Sequence, residues 1–151
     1  MCEAVVEQSD NTCANLLLAR IGGPAALTAF WRSIGDTVSR LDHNEPMLNR
    51  SSLGDPHDTT TPAAMARNVH RFVIGNVLSP ASRERITTGM LGCKTGDNRL
   101  RGGLPKDWRI GDKTGNNGKD AAATSQSHGL HQAILFSLAS THRAVTPPTN
   151  C

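Results

Sequence analysis

Two polar side chains in the middle of the chain have the types and spacing of a pair that activates water. Glu45 and Asn49 lie four residues apart, which is one helical turn, so their carboxylate and amide groups could hold the same water molecule. A carboxylate in that position could take a proton from the water and act as a general base. The alternative interpretation is a solvated carboxylate on a surface loop, which is the usual environment of an isolated glutamate.

Two tripeptides could bind and polarise a substrate around that water. Lys113-Thr114-Gly115 ends a short strand pattern, where Lys113 would supply a positive charge, Thr114 a hydroxyl group and Gly115 room for a substrate backbone. Ser9-Asp10-Asn11 opens a helix, and a simple capping role for Ser9 is compatible with a role in catalysis beside Lys113. Together the groups suit acyl transfer.

The elements that must position these groups are mostly helical. Caps, apolar stripes and terminating glycines predict helices over about residues 9–20, 24–35, 61–75 and 79–90. From Arg40 to Thr61 the chain is polar and rich in turn residues, and its length favours an Ω-type functional loop around Glu45. Residues 108–112 are the first convincing strand.

Charge and composition exclude several other functions. The net charge is +3, but basic residues alternate with acids and form no run of five or more, which indicates a solvated surface. The densest basic stretch, Arg99 to Arg109, is interleaved with Gly and Pro rather than with aromatic residues, so nucleic acid is not an expected partner. No apolar run has membrane-spanning length. Because the first residues have no signal-peptide pattern, the chain taken literally would stay in the cytoplasm.

The cysteines do not predict a metal or redox site. Their spacing matches neither CxxC nor a dense disulfide scaffold, so buried small apolar side chains are the expected state of all four, Cys2, Cys13, Cys93 and Cys151. No metal and no cofactor is predicted.

The order of the three polar motifs along the chain and the sequence around them resemble class A β-lactamases. S-D-N and K-T-G belong to the motif set of active-site serine β-lactamases and penicillin-binding proteins, and Glu45-Pro46-Met47-Leu48-Asn49 lies between them as in the class A enzymes. The stretches at residues 9–18, 21–24, 54–62 and 78–82 are similar to that family as well. The resemblance covers about residues 2–122.

The resemblance implies a role for each site residue in β-lactam hydrolysis. Glu45 would be the general base that hydrolyses the acyl-enzyme, Ser9 would relay a proton to the leaving β-lactam nitrogen, and Lys113 would complete the catalytic set. The substrate-binding residues would be Asn11, Asn49, Thr114, Gly115 and Arg99. Arg101 is an alternative to Arg99, and so is a merely solvated surface arginine.

The implied fold is the α/β (α+β) architecture of serine β-lactamases and penicillin-binding proteins, with helices on both sides of an antiparallel sheet. This chain would hold a truncated, mostly helical part with one or few strands. The implied partner is a small-molecule β-lactam, the implied oligomeric state a monomer, and the implied location periplasmic or secreted. A penicillin-binding peptidase is the alternative enzyme, although it lacks the loop of Glu45, and a non-catalytic β-lactam-binding remnant is the alternative outside catalysis.

The sequence departs from the family pattern at three places. No serine has a lysine three residues later, as the S-x-x-K nucleophile motif requires, and Ser82 with Arg85 comes closest. We therefore expect no hydrolysis by these residues alone. His43 stands where the family usually has an arginine that pairs with the aspartate matching Asp58, so a neutral imidazole would leave the loop looser. Lys94-Thr95-Gly96 follows a helix rather than a strand and is interpreted as a decoy.

The last part of the sequence has no family resemblance in its own frame. A plausible family coding sequence with one G removed translates as Ala-Thr-Ser-Gln-Ser-His-Gly, which is residues 123–129 as they stand. We therefore expect a partial catalytic domain at 1–122 and a poorly packed, out-of-frame tail at 123–151. The apolar run Ala133 to Ala139 could form a short helix by chance, and a sheet reduced to one strand would leave unpaired backbone groups.

Overall fold

The computed structural model describes residues 1–50, 54–115 and the backbone of residues 134–138. Five α-helices precede two strands: α1 (Cys2–Gln8), α2 (Asn11–Arg20), α3 (Gly23–Ser33), α4 (Pro62–Val73), α5 (Pro80–Leu91), β1 (Arg109–Lys113) and β2 (Ile134–Leu138). Two short 3-10 helices cover Met47–Asn49 and Leu100–Gly103. The four helices and the strand expected from the sequence are confirmed, as is the mostly helical character.

The helix boundaries follow from side-chain caps. Asp10 accepts a hydrogen bond from the backbone N–H of Cys13 at 2.7 Å and begins α2. Thr61 and Ser79 cap α4 and α5 in the same way, each followed by a proline at the first helical position. Ser9 caps no helix N-terminus; it ends α1 in a left-handed conformation, with φ 58°.

Helix α1 was not predicted from the sequence. It has only seven residues, buries none of them and has no side-chain cap at its start, so neither an apolar stripe nor a cap marks it. It forms because it packs against α5, where Gly89 lets Val6 approach; a Cβ on Gly89 would lie 3.2 Å from a methyl group of Val6. Tertiary contact rather than local propensity decides this helix.

A small apolar core lies between α4 and α5. Its buried side chains are Val69, Val73 and Met90, and the partly buried side chains around it are Val6, Met65 and Ile86. Gly111 of β1 lies against Met90, so α5 rests directly on the strand. This contact fixes the end of β1, and with it the K-T-G tripeptide, relative to the helices.

The structure corrects the expectations for the sheet. Residues 134–138, where a chance helix was expected, form β2, which pairs antiparallel with β1 in the register Gly111 to Phe136. The sheet therefore has two strands in the described residues. The backbone of β2 pairs with backbone groups along one edge of β1. The rest of the proposed out-of-frame tail, residues 123–133 and 139–151, lies outside the described residues, as do residues 116–122.

Two further expectations concern cysteines and membranes. Cys93 is buried as expected, and Cys13 is partly buried. The expectation is wrong for Cys2, which is exposed because α1 buries none of its side chains. Cys151 lies outside the described residues. In the described ranges no single helix is long and apolar enough to span a membrane; α2 and α3 reach the required length and composition only together, with a 70° bend between them.

Candidate active site

Ser9 and Lys113 meet although 104 positions separate them in the sequence. The Lys113 ammonium donates a hydrogen bond to Ser9 Oγ at 2.9 Å and another to the carbonyl of Thr114 at 2.6 Å. The left-handed turn at Ser9 joins α1 to α2, and Lys113 is the last residue of β1. A non-glycine residue with positive φ is uncommon and often marks a functional position. The sequence-based prediction that these two groups lie side by side is confirmed.

The Glu45 carboxylate and the Asn49 amide are in direct contact. Asn49 lies in the 3-10 helix Met47–Asn49 and donates to Glu45 Oε2 at 2.6 Å. The predicted proximity of the two side chains is confirmed, and both are partly buried. The amide donor orients the carboxylate, as a general base requires.

Lys113 and Glu45 also interact electrostatically. Partial burial lowers the pKa of Lys113, whereas the nearby carboxylates of Glu45 and Asp112 oppose that shift. The loop carboxylate and the strand-end ammonium therefore belong to one electrostatic environment. An ammonium in a partly dehydrated site is well suited to bind the carboxylate of a small ligand.

The two ends of the loop that carries Glu45 meet where Asp42 and His43 lie against Asp58, and this junction is called the neck of the loop. Reciprocal hydrogen bonds close it. Asp58 Oδ1 accepts the backbone N–H groups of Asp42 at 2.7 Å and His43 at 3.0 Å, and the N–H of Asp58 donates to Asp42 Oδ2 at 2.9 Å. His43 Nδ1 lies 2.6 Å from Asp58 Oδ2. The hydrogen bond to Asp58 raises the pKa of His43. The neutral imidazole assumed from the sequence is therefore not the favoured form at mildly acidic pH.

Residues 1–138 match the β-lactamase enzyme family. The chain belongs to this family. The match extends 16 residues beyond position 122, where the sequence-based resemblance ended.

Individual relatives of this β-lactamase family member agree. Beta-lactamase L2 of Stenotrophomonas maltophilia is 56% identical over 121 residues, which are 80% of this chain and 40% of that protein. A structure of the last common ancestor of Gram-negative class A β-lactamases is 63% identical, with a TM-score of 0.74, over 75% of this chain and 43% of that chain. A β-lactamase from Xanthomonas campestris pv. campestris is 52% identical with a TM-score of 0.77, over 78% of this chain and 44% of that chain. The fold is thus a truncated class A β-lactamase fold, and the chain spans about two fifths of the relatives it matches.

One residue that supports the candidate site was missed in the sequence. The side chain of Asn15 in α2 donates to the carbonyl of Glu45 and accepts its backbone N–H, both at 2.9 Å. The Asn15 side chain thus binds the backbone of Glu45, whereas Asn49 contacts its carboxylate. A partly buried amide among the apolar residues of α2 is the signal that could have identified it.

Thr95 reaches the site as well. Lys94-Thr95-Gly96 follows α5 and is not part of a strand, as expected, and Thr95 Oγ1 lies 2.5 Å from Thr114 Oγ1. The interpretation of this tripeptide as a decoy stays a prediction. Gly96 is buried beneath it, where a Cβ would collide with the Asp112 carboxylate. The segment thus packs along the end of β1, which explains how it reaches the K-T-G strand without being a strand.

The two candidate arginines have different environments. Arg101 donates to the buried carboxylate of Asp112 and to the carbonyls of Met90 and Cys93, at 3.3 and 3.2 Å, so it ties α5 to β1. Arg99 is exposed, and its contact with a substrate stays a prediction. The same holds for the ligand contacts of Asn11, which is exposed in the first turn of α2, and of Gly115.

Proposed function

We propose that this chain supplies the water-activating and substrate-binding part of a class A β-lactamase, which hydrolyses β-lactams through an acyl-enzyme. The observation that carries the proposal is the contact of Asn49 with Glu45 Oε2 at 2.6 Å, on a loop held to α2 by Asn15. Glu45 would take a proton from the water that attacks the acyl carbonyl, a contribution of about 100- to 10,000-fold to the rate. Ser9 would pass a proton from its surroundings to the leaving β-lactam nitrogen.

Ser9 and Lys113 would act on the same substrate from the opposite wall. The Lys113 ammonium stabilises the negative charge of a substrate carboxylate and polarises the Ser9 hydroxyl through their 2.9 Å hydrogen bond. Thr114 would offer its hydroxyl to the same carboxylate, and Gly115 would allow the substrate backbone to approach. Asn11 and Arg99 would bind the substrate at the edges of the cleft.

The nucleophile is not among these residues. Because no serine in the sequence is followed three positions later by a lysine, we propose that the 151 residues alone hydrolyse no β-lactam above background. We also propose a monomer, and a periplasmic or secreted location for the active family enzyme.

A penicillin-binding peptidase is a weaker candidate. It would share the Ser9 and Lys113 groups but would need no carboxylate to activate water for rapid deacylation. The Glu45–Asn49 contact therefore favours the β-lactamase. A non-catalytic β-lactam-binding remnant is distinguished by experiment, since titration of the purified chain with a chromogenic cephalosporin would then give binding without colour change.

A chimera provides the test of the proposed function. Residues 2–115 replace the matching segment of beta-lactamase L2, to which this chain is 56% identical, so that the rest of that protein supplies the S-x-x-K motif. We expect the chimera to hydrolyse a cephalosporin, and the E45Q chimera to release one equivalent of product and then stop as the acyl-enzyme accumulates. The exposed Glu84 provides the matched control E84Q. Unchanged kcat in the E45Q chimera would overturn the proposal.

A further inference from the structure

Two histidines and three aspartates lie at the neck of the loop that carries Glu45. His43 Nδ1 lies 2.6 Å from Asp58 Oδ2, and His57 Nδ1 lies 2.6 Å from Asp55 Oδ1. The two imidazole rings face each other edge to face, with centroids 5.6 Å apart. This arrangement does not resemble a metal site, because no group of His, Cys, Asp or Glu in the described ranges is placed to hold an ion.

Asp58 is the fixed member of the cluster. Its side chain is only 5% exposed, whereas that of His43 is 49% exposed. Two backbone N–H groups and the His43 ring converge on its oxygens, so the Asp58 side chain is held in place from three directions. The His43 ring is half exposed and can exchange a proton with the solvent.

We propose that the His43–Asp58 contact is a proton-controlled latch that positions Glu45 from the neck of its loop. Protonated His43 donates a charge-assisted hydrogen bond to Asp58, which is roughly twice as strong as a neutral one. Deprotonation leaves at most the neutral bond and removes the ion pair. Glu45 follows His43 by two residues, so the segment between latch and carboxylate has little freedom to absorb a change in the neck. This inference rests on the proposed function for its catalytic consequence, with His43 acting as a positioning residue.

The charges around His43 determine the sign of the effect. Asp58, Asp42 and Asp55 all favour its protonated form, while partial burial opposes that form. His57 faces the ring, and Arg40 neutralises part of the acidic charge through its ion pair with Asp42. The net result is a pKa of His43 raised above the ordinary 6.5. The stabilisation is therefore complete below pH 6.5 and is lost as the pH rises through the raised pKa.

The latch can be tested on the 151-residue chain without a β-lactam. NMR titration of the imidazole signals should give His43 a pKa above the ordinary 6.5, and D58N should lower that pKa. Hydrogen exchange at the amides of Asp42, His43 and Glu45 is then compared between the chain and H43R at each pH, so that intrinsic exchange cancels. Because a guanidinium stays charged, we expect protection in H43R to persist where that of the chain is lost.

The titration and the hydrogen-exchange comparison can each contradict the proposed latch. A His43 pKa no higher than the ordinary 6.5, or equal pH dependence of exchange in the chain and in H43R, would overturn the latch. Should D58N fail to fold, the titration of His43 in the unaltered chain still decides. H70Q is the matched control, because it removes an exposed histidine outside the neck and should change neither measurement. Failure here leaves the proposed hydrolysis intact, whereas unchanged kcat in the E45Q chimera would leave the latch intact.

Discussion

Lys113 donates a hydrogen bond to Ser9 Oγ at 2.9 Å, which joins the end of β1 to the turn between α1 and α2. A strand end and a helix junction far apart in the sequence thereby form one wall of the candidate site. Both partners of the hydrogen bond belong to the protein, so the fold itself orients the Lys113 ammonium. Such preorganised charge is the main way in which enzymes stabilise developing anions.

Replacing Lys113 by alanine should therefore reduce β-lactam hydrolysis by the chimera. We expect kcat/KM for a cephalosporin to fall by about 100-fold, because the loss of a preorganised donor to an anionic group has that order of effect. Steady-state kinetics measure the change. The exposed Lys106 provides the control K106A, whose kcat/KM should stay within twofold. Equal losses in the two variants would show that Lys113 has no specific role.

Asn15 should stabilise the fold through the loop of Glu45. Its side chain makes two hydrogen bonds to the Glu45 backbone, and N15A would leave both groups unsatisfied in a partly buried position. We expect the free energy of unfolding to fall by about 1–3 kcal/mol. Urea denaturation of the 151-residue chain measures this change. N76A, at an exposed asparagine after α4, should have almost no effect, and a similar loss in both variants would contradict the prediction.

Two glycines offer a matched test of packing against β1. A Cβ on Gly96 would collide with the Asp112 carboxylate, whereas a Cβ on Gly103 would meet open space. G96A should therefore destabilise the chain by about 1–3 kcal/mol, the usual range for overpacking, and G103A should not. The difference in thermal midpoint between the two variants gives the result. If both melted together, the segment after α5 would not be packed against Asp112.

Acid unfolding should depend on Asp36. Burial disfavours ionisation of this buried carboxyl, but hydrogen bonds from Ser39, Val38 and Asn68 outweigh it, so the pKa of Asp36 is lowered from 3.8. Its stabilising effect is present above pH 3.8 and is lost as the pH falls through the lowered pKa. D36N should accordingly be less stable at neutral pH and show a shallower loss of stability below pH 4 than the unaltered chain, as read from urea midpoints measured at a series of pH values. Parallel acid profiles would refute this.

Local chemistry explains what could be predicted from the sequence. Asp10, Thr61 and Ser79 form caps with the next few residues, so the helices they begin were visible in the sequence. The Glu45–Asn49 contact spans four residues and could be predicted for the same reason. Lys113 and Ser9 were brought together only by the family resemblance, because nothing in the spacing of positions 104 residues apart predicts their contact.

The features that were missed depend on distant partners. α1 needs α5, and β2 needs the free edge of β1, so neither has a sufficient local signal. The protonation of His43 depends on Asp58, Asp42 and Asp55, which the fold gathers around it. The order of residues along the chain does not show which charged groups will lie near His43.

The double hydrogen bond of Asn15 has a wider consequence. It resembles the pairing of two strands and attaches the backbone at Glu45 to α2. The same helix starts at Asn11, directly after the turn of Ser9 and Asp10. The proposed general base and the proposed proton relay are therefore both connected to one helix, and a displacement of that helix would change the positions of both.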